Sequence, residues 1–140
     1  MQNPNKIGTT TEAKILAYVL ELGYSISIPF GDKDRYDQIW DINGKLLRIQ
    51  IKTARLNEKE KNPNNLSIRF NCKSTINGKT HKYSKDEIDY FATYWDNKVY
   101  LIPVEECSME KVLRFTSSQP NQPNICWAKN YELEEVIKRL

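Results

Sequence analysis

The dipeptide Asn43-Gly44, set between the strand-like runs of RYDQIWDINGKLLRIQIKT (residues 35–53), constrains this chain more than any other feature. Both positions of a two-residue hairpin turn want φ > 0, which Asn and Gly accept at little cost. Such a turn fixes the pairing by counting: Ile42 faces Lys45, Trp40 faces Leu47 and Asp37 faces Gln50. Directly opposed Cβ atoms lie about 4.5–5.5 Å apart. Side chains alternate along a strand, so Gln50 and Lys52 project on the same face as Asp37. Tyr36, Trp40, Leu47, Ile49 and Ile51 project on the other face, which is the expected core.

An acid, an amide and an amine thus converge on one face of an otherwise apolar ribbon. Two readings are open. A lone lysine at a strand end commonly snorkels to solvent, and a lone aspartate near a loop commonly caps a turn. The other reading is a metal site, in which a carboxylate and amide or backbone carbonyl oxygens hold a hard divalent ion and the lysine stabilises charge or orients water. Asp41 shares the parity of Asp37 but sits four residues on. That is about 13 Å along a strand, too far to share one ion.

On the N-terminal side, residues 1–8 read as a loose leader and residues 9–22 as an amphipathic helix. Its apolar stripe is Ile15, Leu16, Val19, Leu20 and Leu22, and Gly23 stands where a C-cap belongs. Thr9 and Glu12 have capping-box spacing. Residues 24–29 alternate like a strand, and Asp32 and Asp34 read as turn residues of the loop before Asp37. Past Thr53, the run NEKEKNPNN is a surface loop, residues 66–72 a strand, and residues 73–82 a polar, basic loop containing Asn77-Gly78. Ser84 is placed to cap a helix through Asp89, Phe91 and Tyr94. Residues 99–104 read as a strand, 111–116 as a strand or helical turn, and 131–140 as a terminal helix. One domain over residues 1–140 is expected, an α/β fold around a sheet that the hairpin keeps from being wholly parallel.

Asp37, followed thirteen residues later by Gln50-Ile51-Lys52, resembles the signature of the PD-(D/E)XK nuclease superfamily, with Gln in the D/E slot. The longer runs EAKILAYVLELGYSISIPFGDKDRYD and DINGKLLRIQIKTARL resemble the group I intron-associated homing endonuclease branch built on the restriction-enzyme fold. So do KYSKDEIDYFATYW, KVYLIPVEE and ICWAKNYEL. The resemblance implies a restriction-endonuclease-like αβββαβ core with a mixed central sheet flanked by helices. It implies catalytic roles for Glu12, Asp37, Gln50 and Lys52, and metal ligation by Glu12, Asp37 and the Ile51 carbonyl. Mg²⁺ is the implied cofactor, with Mn²⁺ as a substitute. Gln50 brings an oxygen without charge, which leaves the number of ions open.

A net charge of +3 does not by itself demand a nucleic-acid partner. With the resemblance, it makes double-stranded DNA the expected partner, touched by Lys33, Arg35, Arg55, Lys73, Lys79 and Lys82, with Lys85 nearby. One site cuts one strand, so a homo-oligomer, dimer or tetramer, is expected. Cys72, Cys107 and Cys126 form no CxxC pair and the single histidine supports no His-based metal site. No apolar run is long enough to span a bilayer, and the N-terminal residues lack an export signal, so the expectation is a cytoplasmic protein. The activity expected is site-specific DNA hydrolysis of the homing type. The alternatives are a junction-resolving nuclease on the same fold and a non-catalytic DNA-binding module.

Overall fold

A computed structural model gives the structure of residues 3–31 and 33–140, so Asp32 lies outside the described residues. The elements run α1 (Pro4–Glu21), β1 (Ser25–Ser27), β2 (Gln38–Ile42), β3 (Lys45–Ile51), β4 (Arg55–Leu56), β5 (Ser67–Asn71), β6 (Lys73–Ile76) and β7 (Lys79–Lys82). They continue with β8 (Tyr90–Trp95), β9 (Lys98–Pro103), β10 (Glu110–Arg114) and α2 (Leu133–Ile137), with 3₁₀ turns at Val104–Glu106 and Ala128–Tyr131.

The expected hairpin is present. Asn43 and Gly44 both take positive φ, 54° and 90°, and the ladder pairs Ile42 with Lys45, Trp40 with Leu47 and Gln38 with Ile49. Asp41 accepts the Gly44 N–H through Oδ1 at 2.8 Å, so it belongs to the turn. Gly44→Ala forces a Cβ into the left-handed region and is expected to destabilise the protein by about 1–2 kcal/mol in urea unfolding.

The hairpin is the middle of a five-stranded mixed sheet in the order β1-β2-β3-β8-β9, in which only β3 and β8 run parallel. α1 and α2 cover one face. Ile15 and Val19 of α1 and Leu133 and Val136 of α2 pack there on Trp40, Ile42, Leu47, Ile49 and Ile51. The opposite face is covered by a three-stranded antiparallel sheet, β10-β5-β4, over a second cluster that includes Ile68, Phe70, Phe91, Ile102 and Leu113. The mixed central sheet matches the expected fold class, with its helices on one face. No helix among the described residues is long and apolar enough to cross a membrane.

Several local expectations are corrected. The helix starts at Pro4 and not at Thr9, because the Asn3 side chain accepts the Asn5 N–H at 2.9 Å and Pro4 occupies the first helical position. Residues 4–8 are therefore helical. Thr9 turns its hydroxyl back to the Asn5 carbonyl, and the capping box with Glu12 does not form. Leu20 and Leu22 stay exposed; the buried stripe is Thr11, Ile15 and Val19. Tyr36 packs against the second cluster, because the chain leaves the β2 ladder at Gln38.

The helix expected after Ser84 stops at a single turn. Its capping interaction forms, with Ser84 N donating to Glu87 Oε1 at 3.0 Å, but the next residues, YFATYW, enter the sheet between β3 and β9. Sheet pairing of β-branched and aromatic residues outweighs the local start signal. The basic loop of residues 73–82 is instead a hairpin, β6-β7, turning on Asn77 and Gly78, both at positive φ. Residues 110–114 take the strand alternative, and the terminal helix is shortened to α2 by the 3₁₀ turn before it.

Candidate active site

Successive N–H groups of a strand point to opposite edges. The Lys52 N–H goes to the Ala92 carbonyl of β8 at 3.0 Å, so the Ile51 N–H faces the β2 edge. There the ladder has ended at Gln38, and the Asp37 side chain takes over: Oδ2 accepts the Ile51 N–H at 2.8 Å while the Asp37 N–H donates to the Ile49 carbonyl at 2.7 Å. Asp37 is thus held between Ile49 and Ile51 rather than set opposite Gln50. Its carboxylate is fixed on the edge to which the Ile51 carbonyl also points.

Three ionisable groups gather at this position. Burial raises the Asp37 carboxyl above its ordinary range, against the opposing pull of the Ile51 N–H and the Lys52 charge. Glu12, freed from capping, is raised by partial burial and then by the Asp37 charge. Lys52 is lowered chiefly by burial, with Arg35 adding to the shift and Cys72 and Asp37 opposing it. Asp37 thus lies within electrostatic reach of both Glu12 and Lys52. Gln50 is half-buried beside them. Its Nε2 sits 3.5 Å from the Ile51 carbonyl, the outer limit of a hydrogen bond. A half-turn of the amide would present an oxygen at the same place.

The oxygen donors fit a hard cation. Two carboxylates, one of which raises the proton affinity of the other, a backbone carbonyl on the same edge and a rotatable amide suit an ion bound through one or two carboxylates and several waters. No cluster of three or more His, Cys, Asp or Glu occurs among the described residues.

The expected DNA contacts divide. Lys33, Arg55, Lys73, Lys79 and Lys82 are exposed, the last three on the β6-β7 ribbon. Lys85 is also exposed and pairs with Glu105 at 2.7 Å. Arg35 is not free. Its guanidinium donates to Glu87 Oε2 at 2.7 Å, Ser74 Oγ at 2.6 Å and the Lys82 carbonyl at 3.3 Å, and it stacks 3.9 Å from the Tyr83 ring centroid. Lys52 reaches the same ribbon: Nζ donates to the Lys73 carbonyl at 2.7 Å and to Asn71 Oδ1 at 3.4 Å, 5.3 Å from the Tyr83 ring. Asn71, Tyr83 and Glu87 are residues of this site that sequence reasoning missed. The only nearby signal was the helix cap read at Ser84, and it did not point to a site.

Two hollows flank the centre. One, of about 220 Å³, is bounded by Ile28, Pro29, Gly31, Asp34, Tyr36 and Asp37. The other, of about 600 Å³, opens over Ile51, Lys52, Thr53, Arg55 and Asn71 beside the start of α1.

A family model described as PD-(D/E)XK endonuclease matches residues 2–134. The solved structure of a bacterial homing endonuclease, I-Ssp6803I, superposes with a TM-score of 0.74 at 19% identity, covering 99% of this chain and 95% of that one. No curated protein matches the chain.

Proposed function

The chain belongs to the PD-(D/E)XK endonuclease family, and on that premise we propose that it is a divalent-metal-dependent, site-specific DNA endonuclease of the homing type. The observation that carries the reading is the Asp37 carboxylate, seated on the Ile51 N–H and coupled by charge to both Glu12 and Lys52. Charges of both signs in a partly desolvated cleft mark a reaction centre more often than a structural ion pair.

Glu12, Asp37, the Ile51 carbonyl and Gln50 would hold the ion, Mg²⁺ or Mn²⁺ in its place. Bound there, it would supply charge neutralisation on the phosphate and acidify a water. Asp37 keeps its carboxylate aimed through two backbone bonds and so needs no reorganisation. Lys52 places an ammonium beside the phosphate, where partial burial strengthens its pull on developing negative charge. Gln50 lends an oxygen without repelling the phosphate. Lys33, Arg55 and the ribbon lysines Lys73, Lys79 and Lys82 would meet backbone phosphates of double-stranded DNA. One such centre cuts one strand, so cleavage of both calls for a homo-oligomer, dimer or tetramer.

The reading is tested by cleaving a library of random duplexes in Mg²⁺ and sequencing the ends. Enrichment of one extended target is expected. Cleavage of four-way junctions alone would assign the protein to junction resolution, and binding without cleavage would leave a DNA-binding module. In the same assay Glu12→Gln is expected to slow cutting by about 10–100-fold. It removes one of two charges from the ion site but leaves Asp37 and Lys52 in place.

A further inference from the structure

The β6-β7 ribbon has no core of its own. Of its strand residues only Ser74 is partly buried, and the rest are exposed on both faces. A two-stranded ribbon this short is marginal in water by itself. It is tied down at its base by two residues of the reaction centre. Lys52 Nζ holds the Lys73 carbonyl, and Arg35 holds Ser74 Oγ and the Lys82 carbonyl, so both strands are gripped. Asn71 Oδ1 braces the Lys52 half of this clamp, accepting both the Lys73 N–H at 3.2 Å and Lys52 Nζ at 3.4 Å. Tyr83 lies under both cations, and Glu87 fixes the far side of Arg35.

Its side chains are built for another purpose. Lys79 flanks the Asn77-Gly78 turn at the tip, Lys73 and Lys82 face each other at the base, and Thr75, Thr80 and His81 lie between, all of them side chains that bond phosphates or base edges. The major groove, about 12 Å wide, admits a two-stranded ribbon. Resting on the nuclease reading above, we propose that this ribbon docks in the major groove of duplex DNA and that its seating, passed through the Lys73 carbonyl and Asn71, sets the position of the Lys52 ammonium. Asn71 and Ser74 are then positioning residues, and recognition and cleavage share one lysine. DNA that does not seat the ribbon leaves Lys52 misplaced, and a misplacement of about 1 Å costs up to about 10²-fold in rate.

The test separates binding from turnover. Single-turnover nicking is measured with Mg²⁺ at saturating duplex, and affinity is measured by fluorescence anisotropy without metal. Asn71→Ala is expected to lower the saturated rate by about tenfold or more while affinity stays within about twofold. Asn71→Asp, which keeps the acceptor oxygen, restores most of that rate. Ser74→Ala, at the ribbon's partly buried base, gives a smaller loss of the same kind. Hydrogen exchange of residues 73–82 is expected to slow when duplex is added without metal. A wild-type saturated rate in Asn71→Ala with Lys52→Met inactive would overturn this inference alone. Unchanged exchange in the ribbon on saturating duplex would also overturn it. Full activity of Lys52→Met would overturn it together with the role assigned to Lys52.

Discussion

Asp37→Asn is expected to reduce DNA nicking by about 10³-fold or more while leaving the fold intact. The amide is nearly isosteric, and its oxygen still accepts the Ile51 N–H that Asp37 Oδ2 accepts at 2.8 Å. What it loses is the negative charge that the ion site needs. Thermal melting of the metal-free protein gives an independent readout. Asp37 titrates above its ordinary range in the folded state because it is buried. The folded protein therefore binds its proton more readily than the unfolded chain, and stability falls as pH rises from the unfolded value through the folded one. At neutral pH the ionised carboxylate opposes folding, so the asparagine variant is expected to melt higher than the parent. A residue kept at a cost to stability is the pattern of a functional site. A lower melting temperature would make Asp37 a structural cap instead.

Lys52→Met is expected to lower the saturated nicking rate by about 10²–10³-fold, with DNA affinity changed only a few-fold. Methionine matches the stem of lysine and removes only the ammonium. On the proposed reading, binding draws on many exposed cations, among them Lys33, Arg55 and the ribbon lysines, so losing one is expected to change it little. On the same reading, catalysis draws on Lys52, whose charge is coupled to Asp37. Stability is expected to hold, because burial already disfavours the charged form of Lys52 and the Lys73 carbonyl it leaves lies in an exposed ribbon. Lys52→Arg is expected not to rescue, since a planar guanidinium cannot occupy the space of a compact ammonium. Equal losses of rate and affinity would instead make Lys52 an ordinary phosphate contact.

The hairpin was legible because its turn is local chemistry: Asn-Gly dictates positive φ, and alternation then dictates which face each side chain takes. That carried the register from Ile42–Lys45 to Trp40–Leu47 and put Trp40, Leu47, Ile49 and Ile51 in the core. It failed one step beyond Gln38, where Asp37 uses its side chain as a strand would use its backbone, and Tyr36 went to the other cluster. The family was legible in the spacing of Asp37, Gln50 and Lys52, and the place of Glu12 only through the family's longer words. The second helix was misread because a real capping turn at Ser84 precedes residues whose fate is settled by β3 and β9, far away in sequence. The ribbon was missed despite Asn77-Gly78, since strands exposed on both faces leave no hydrophobic period to read. Arg35 looked like a free phosphate contact, but its partners Ser74, Lys82 and Glu87 lie 39 to 52 residues on, and no local pattern announces them.

The central claim is that Asp37 anchors a cation-dependent phosphodiesterase centre, and nicking of supercoiled plasmid tests it most directly. The parent protein is incubated with Mg²⁺, with Mn²⁺, or with EDTA, beside Asp37→Asn under the same conditions. Open circles formed only by the parent and only with a divalent ion are the predicted result. Nicking that persists in EDTA, nicking by Asp37→Asn at the parent's rate, or an inert parent with either ion would contradict it.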